Sequence, residues 1–180
     1  MKCVILAGGF GTRLAEETKT KPKPLVKIGT KPIIWHIIKI YNFYGIKDFI
    51  ICLGYKGNLL KKELNTLNLK KQWNIKYVNT GLSTMTGGRI KKIKKFIGKD
   101  KNFYLSYGDG LSDIKINKLT KFHFKHNKIA TLSAVKYNNP KGILIIKKNS
   151  TIKTIKEKPL EYINGGFFVL SRKIFKFLKN

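Results

Sequence analysis

Near the start of the chain, Gly8-Gly9-Phe10-Gly11-Thr12-Arg13-Leu14 is the segment best suited to hold an anion. Glycines let backbone N–H groups approach a phosphate chain closely, and Arg13 supplies a positive charge for its oxygens. A glycine-rich turn in isolation is only a tight strand exit. The spacing matches neither G-x-G-x-x-G with an acidic residue about 20 positions on nor the G-x-x-x-x-G-K-[ST] loop. Further along, Lys21-Pro22-Lys23-Pro24-Leu25-Val26 sets Lys23 between two prolines. Prolines fix their own φ and restrict the residue before them, so Lys23 is expected to project from a stiff, extended segment. A preorganised cation suits phosphoryl or nucleotidyl transfer, where catalysis is mostly positioning and charge neutralisation. Asp109, between Gly108 and Gly110, is a turn former when taken alone; at a strand end it is also a carboxylate able to hold Mg²⁺ against nucleotide phosphates.

These groups need elements to carry them. Residues 2–7 form a short apolar run ending in glycines, the pattern of a strand buried on both faces of a parallel sheet. Residues 32–44 place Ile33, Ile34, Ile37, Ile38 and Tyr41 at helical spacing, with Pro32 in the first turn and Gly45 as a stop. Strands are expected over 48–53, 75–78, 103–107 and 130–135. Helices are expected from an Asn58 cap to about Leu67 and over 87–97 and 116–126. Beyond Pro140 come shorter strands over 142–146, 152–156 and 165–170, then a helix from Ser171 to Leu178. The alternation predicts one doubly wound, Rossmann-like α/β domain over residues 1–180, in three layers around a central, mainly parallel (mixed) sheet.

The two N-terminal motifs in this order resemble the sugar-1-phosphate nucleotidyltransferase family, whose signature is GGxGTRL followed by PKP. Lys31-Pro32, Gly45-Ile46-Lys47-Asp48, Gly54-Tyr55-Lys56-Gly57, Tyr107-Gly108-Asp109-Gly110, Glu157-Lys158-Pro159 and Asn164-Gly165-Gly166-Phe167-Phe168-Val169 follow in family order, so the resemblance covers essentially the whole chain. Ser83-Thr84-Met85-Thr86-Gly87-Gly88-Arg89 and Trp35-His36-Ile37 are similar to the cytidylyltransferase branch acting on glucose 1-phosphate. The resemblance implies CTP and glucose 1-phosphate as substrates, Mg²⁺ as cofactor and CDP-glucose for bacterial surface polysaccharides such as the lipopolysaccharide O-antigen as the setting. It implies that Arg13, Lys23, Asp109 and Lys158 carry the chemistry, with Asp109 on the metal. Substrate contacts are implied for Leu6, Ala7, Gly8, Gly9, Gly11, Thr12, Thr84, Arg89, Gly108, Asn164 and Gly165. Taken alone, Arg89 is a surface helix residue, Lys158 part of a charged turn and Asn164 part of a strand-entry turn.

The 180 residues carry 38 Lys and Arg against 9 Asp and Glu, a net charge of +29. That excess raises nucleic-acid binding as a rival, because basic surfaces collect phosphates by counterion release. It is nearly all lysine and spread over every segment, which reads as compositional bias, and nucleic acid is not expected as a partner. No apolar run approaches the roughly 20 residues of a membrane helix, so a cytoplasmic chain is expected. Cys3 and Cys52 lack a CxxC partner and read as buried free thiols. His36, His123 and His126 lack metal-ligand spacing and read as surface or packing residues.

In two respects the chain departs from the family pattern. The second metal-binding aspartate lies in a strand beyond the equivalent of Val169, and Asp113 is too near Asp109 to replace it. Truncation is therefore expected, leaving residues 165–170 as an unpaired edge and Ile174, Phe175 and Leu178 exposed, with aggregation and at most trace activity. The stretch 62–79 is also shorter than the branch's loop for subunit packing and nucleotide contact. That leaves a homo-oligomer possible, and keeps uridylyl, thymidylyl or guanylyl transfer, or an inactive nucleotide-binding fragment, as rival readings.

Overall fold

Alternation within short apolar runs decides the sheet. In β1 (Cys3–Leu6), Cys3 and Ile5 enter one core cluster and Val4 another, all fully buried. β4 (Asp48–Leu53) repeats this, with Phe49, Ile51 and Leu53 opposite Ile50 and Cys52. Strands apolar on both faces need cover on both faces, and the chain supplies it as helices. The computed structural model of the chain describes residues 1–11, 20–67, 69–138, 140–157 and 160–178. Thr12, Arg13 and Lys158 lie outside the described residues.

On one face α1 (Ile33–Phe43), α2 (Gly57–Thr66) and α5 (Ile116–His126) contribute Ile34, Ile37, Tyr41, Leu60, Leu64 and Ile116. On the other, α3 (Thr86–Lys92), α4 (Lys94–Ile97) and a closing 3-10 helix (Arg172–Lys176) contribute Ile90, Ile97 and Phe175. The sheet between them runs in the order β5 (Asn74–Asn79), β4, β1, β6 (Asn102–Tyr107), β10 (Leu160–Ser171), β7 (Ala130–Asn138). The first four strands are mutually parallel, and β10 is antiparallel to both β6 and β7. This is the expected three-layer, mixed α/β architecture. Two small hairpins stand apart from it, β2 (Lys27–Ile28) with β3 (Lys31–Pro32) and β8 (Ile143–Ile146) with β9 (Ile152–Lys156).

The order of the strands also locates a crevice. From β1 the chain moves outward to β4 and β5, then returns to the other side of β1 as β6. Loops leaving β1 and β6 therefore diverge at their shared C-terminal end, where open α/β sheets bind ligands. Leu6 pairs with Tyr107 in register, so Gly8 follows one strand end and Asp109 the adjacent one.

Several local expectations are corrected. Lys23 sits in a 3-10 helix (Lys23–Leu25), not an extended segment, with extended Pro22 as its cap. Asn58 lies inside α2, which is capped by Lys56 at φ 48° without a side-chain bond. Pro32, at ψ 153°, caps α1 rather than entering its first turn. The helix over 87–97 is two short helices separated at Ile93. Residues 165–170 belong to a longer strand hydrogen-bonded on both sides, not to an edge. Nor does the last helix present an apolar face to solvent: Phe175 is buried, stacked on Phe103 at 5.6 Å, with Ile174 and Leu178 packed on the same cluster. Cys3 and Cys52 are buried free thiols as expected, and burial pushes the Cys52 thiol up to about 12.

Candidate active site

The crevice between the β1 and β6 ends is a cavity of about 310 Å³. Leu6, Ala7, Gly8, Gly9 and Gly11 line it from the first turn, Gly108 and Asp109 from the β6 turn, Lys23 from the 3-10 helix, and Thr84 and Arg89 from the 82–89 segment. Ten of the anticipated residues thus meet at one place. Arg13, Thr12 and Lys158 lie outside the described residues.

Close backbone contact explains why glycine occupies two of these positions. A Cβ on Gly108 would stand 2.9 Å from Leu6 O and 3.2 Å from Pro24 Cγ, so any side chain would push the β6 turn away from β1 and from the lysine-bearing helix. Gly108 N donates to Leu6 O at 2.9 Å, closing the same contact. A Cβ on Gly8 would meet the Arg89 guanidinium and stand 2.9 Å from Gly54 N.

Asp109 and Lys23 are the charged pair of the cavity. Lys23 Nζ is 2.7 Å from Asp109 Oδ2, and the side chains are 24% and 36% exposed. A cation and an anion at such an opening can respectively meet phosphate oxygens and a hard metal ion. No group of three metal-ligating side chains occurs among the described residues. Asp109 is the one carboxylate among the residues named around the cavity, a donor set that fits Mg²⁺ only with ligand phosphates and water completing the shell. Asp113 lines a different groove, beside Phe43 and Tyr44 of the α1 end.

Arg89 is neither on the surface nor extended into the cavity as a loose cation. It is 5% exposed, and its guanidinium donates to five oxygens: Leu53 O, Thr80 Oγ1, Gly81 O, Gly8 O and Leu82 O. A planar fork of donors suits this, binding the exits of β1, β4 and β5 to one another. Burial lowers the Arg89 pKa from its ordinary value, opposed by the nearby Cys52. The Gly8 carbonyl accepts from both Arg89 and Tyr55 N, which fixes the first turn of the glycine loop.

Asn164 and Gly165 are not among the residues lining the cavity, and a Cβ on Gly165 would meet Ser133 and Val135 of β7. Asn164 Nδ2 donates to Tyr107 OH at 3.2 Å, and Tyr107 lines the cavity. The register of β10 against β7 shifts between Asn164 and Phe168, so this segment bulges there, with Gly166 at φ 81°. Phe10, Pro24, Leu82, Ser83, Met85, Thr86 and Tyr107 also line the cavity without having been anticipated as site residues. Their signal was proximity in sequence: Phe10, Pro24, Ser83, Met85 and Tyr107 adjoin an anticipated residue, and Leu82 and Thr86 lie two positions from Thr84. Of these, Phe10 is 48% exposed and pairs with Tyr55 at a centroid distance of 5.4 Å.

The chain is similar to known proteins over essentially its whole length. The family described as "Nucleotidyl transferase" matches residues 2–180. The glucose-1-phosphate cytidylyltransferase of Salmonella typhimurium is 43% identical over 203 aligned residues, covering 100% of this chain and 79% of that protein. A probable glucose-1-phosphate cytidylyltransferase of Bacillus subtilis is 41% identical, covering 99% and 78%. Among solved structures, HddC from Yersinia pseudotuberculosis superimposes with a TM-score of 0.77 at 27% identity, covering 99% of this chain and 80% of that one. The alignment with the Salmonella protein is longer than the chain's 180 residues, so that relative carries residues with no counterpart here. Among the described residues, the link from α2 to β5 contains a 3-10 helix (Leu69–Lys71).

Proposed function

Because the chain belongs to the nucleotidyl transferase family, we propose that it transfers the cytidylyl group of CTP to glucose 1-phosphate, forming CDP-glucose and pyrophosphate. The relatives at 41–43% identity bear that activity in their names. The observation that carries the reading is the Lys23–Asp109 pair, 2.7 Å apart at the mouth of the glycine turn.

In this reading a phosphate oxygen of the sugar phosphate attacks the α-phosphorus of CTP in line. The new P–O bond forms as the bond from the α-phosphorus to the bridging oxygen breaks, and pyrophosphate leaves with its electron pair. No covalent enzyme intermediate is needed. The glycine turn, locked by Arg89 and Tyr55 on the Gly8 carbonyl, cradles the triphosphate. Lys23, aimed at the cavity by its 3-10 helix, neutralises charge developing on the α-phosphate. Thr84 faces the base, and Asn164 and Gly165 meet sugar hydroxyls beside Tyr107. Arg13 answers the leaving pyrophosphate and Lys158 orients the attacking phosphate. Asp109, with phosphate oxygens, would hold Mg²⁺, which when bound neutralises the triphosphate and acts as a Lewis acid. We place the product in the supply of deoxyhexoses for a bacterial surface polysaccharide such as the O-antigen, made in the cytoplasm. Among the described residues no helix is long and apolar enough to cross a membrane.

The test is a panel of CTP, UTP, dTTP and GTP, each with glucose 1-phosphate and Mg²⁺, with sugar nucleotides resolved by anion exchange. CDP-glucose should dominate. A dominant product from another nucleotide, or none from any, overturns the reading.

A further inference from the structure

Tyr107 ends β6 and lines the cavity, and its side chain meets the bulge of β10 at three places. Its hydroxyl accepts from Asn164 Nδ2 at 3.2 Å. A Cβ on Gly166, which sits at φ 81°, would stand 3.1 Å from Tyr107 Cδ2. Phe168 meets the same ring edge-on, with centroids 5.8 Å apart. The ladder between β6 and β10 stops at the Phe167–Ser106 pair, so beyond it the Tyr107 side chain makes the contact with the bulge. Asn164 is exposed there, and its amide is anchored at both ends: Oδ1 accepts from Gly166 N at 2.8 Å while Nδ2 donates to Tyr107. Gly166 N can only donate, which places the amide oxygen towards it and the amide nitrogen towards the phenol. An amide has two N–H hydrogens and two carbonyl lone pairs, so one of each remains for a ligand. Vicinal hydroxyls of a sugar ring, one accepting and one donating, match such a pair.

We propose that Tyr107 is a positioning residue for the sugar: its hydroxyl and ring hold the Asn164 amide, on the bulge of β10, in the orientation that meets vicinal sugar hydroxyls. The inference rests on the reading above that Asn164 meets the sugar, and deepens it by naming the group that aims it. The bond joins two neutral groups, one of them exposed, so it adds little to the stability of the fold. What it fixes is the torsions of the Asn164 side chain. Freed of it, the amide regains rotamers that must be ordered again on binding, and that cost falls on the sugar contact and not on the nucleotide.

The test measures Kd for CDP and for CDP-glucose with Mg²⁺ by calorimetry, so that the ratio of the two isolates what the sugar adds. The full chain, Tyr107→Phe, Asn164→Ala and the Tyr107→Phe/Asn164→Ala double variant are compared, each with a thermal melt. CDP-glucose should bind the parent more tightly than CDP. Tyr107→Phe keeps the ring against Gly166 and Phe168; it should cut that advantage about threefold to fivefold while Kd for CDP moves by about twofold or less. Asn164→Ala should cut it at least as far, and in that background Tyr107→Phe should change nothing further. UDP and UDP-glucose are titrated alongside: a parent that prefers the uridine pair overturns the cytidylyl reading, and the inference is then judged on that pair by the same ratios. The inference itself is overturned if the sugar adds nothing in the parent, or if Tyr107→Phe leaves the ratio unchanged. It is overturned equally if the effect of Tyr107→Phe persists in the Asn164→Ala background, or if Tyr107→Phe melts well below the parent.

Discussion

Lys23 and Asp109 form a 2.7 Å ion pair across the cavity, one carried by the 3-10 helix after the glycine loop and the other by the turn that ends β6. The two elements are kept in contact by Pro24, whose Cγ would stand 3.2 Å from a Cβ on Gly108. The pair is half-exposed, so its worth to the fold is small and its worth to the site is positional.

Replacing Lys23 with Ala should accordingly remove CDP-glucose formation while changing stability by no more than about 1 kcal/mol. Product formation and a circular-dichroism melt, run on the same preparation, check this. Undiminished product from a normally folded variant would take Lys23 out of the chemistry.

For Asp109→Asn, the side chain keeps its shape and loses its charge, so Mg²⁺-dependent CTP binding should disappear. Calorimetric CTP titrations at a series of Mg²⁺ concentrations supply the measurement. Identical Mg²⁺ dependence in parent and variant would remove Asp109 from the metal.

Arg89→Lys should be costly despite keeping the charge. A single ammonium cannot reach the five oxygens that the guanidinium joins, and the buried carbonyls among them would lose their partner. A loss of about 2 kcal/mol or more is expected in urea unfolding, together with weaker nucleotide binding as the Gly8 turn loosens. An unchanged midpoint would mean that the guanidinium does not tie the three strand exits together.

How much of this was legible in the sequence follows from which interactions are local. β1 and β4 were readable because each is a continuous apolar run buried on both faces, and α1 because its isoleucines repeat at helical spacing. The insertion of β10 between β6 and β7 was not readable, since pairing partners far apart in sequence leave no local trace. Motif order drew Lys23, Asp109 and the glycine turn to one site, but nothing in Thr86-Gly87-Gly88-Arg89 announces a buried arginine. Its burial depends on Gly8 and Gly54 presenting backbone where a Cβ would collide. Phe175 was misjudged because its cover, Phe103, sits on a strand whose apolar residues alternate between two faces.

Stability should also respond to pH through His123. Burial, and then the neighbouring His126, lowers its pKa below the ordinary 6.5, so the neutral ring is favoured in the folded chain. The unfolded chain therefore binds more protons below that value. The stabilisation is fully present above pH 6.5 and is lost as pH falls from there through the lower folded value. Neutral His123 bonds Thr131 Oγ1 at 2.7 Å and Asn102 Oδ1 at 3.2 Å. The melting difference between the parent and His123→Gln should thus narrow between pH 8 and pH 5; a constant difference would contradict the assignment.

The most direct measurement of the central claim follows the phosphorus itself. With [α-³²P]CTP, glucose 1-phosphate and Mg²⁺, label should move from CTP into a phosphatase-resistant product co-eluting with CDP-glucose, in equal amount with unlabelled pyrophosphate, and Lys23→Ala should abolish the movement. Label that remains in CTP, or appears in pyrophosphate, would contradict cytidylyl transfer at this site.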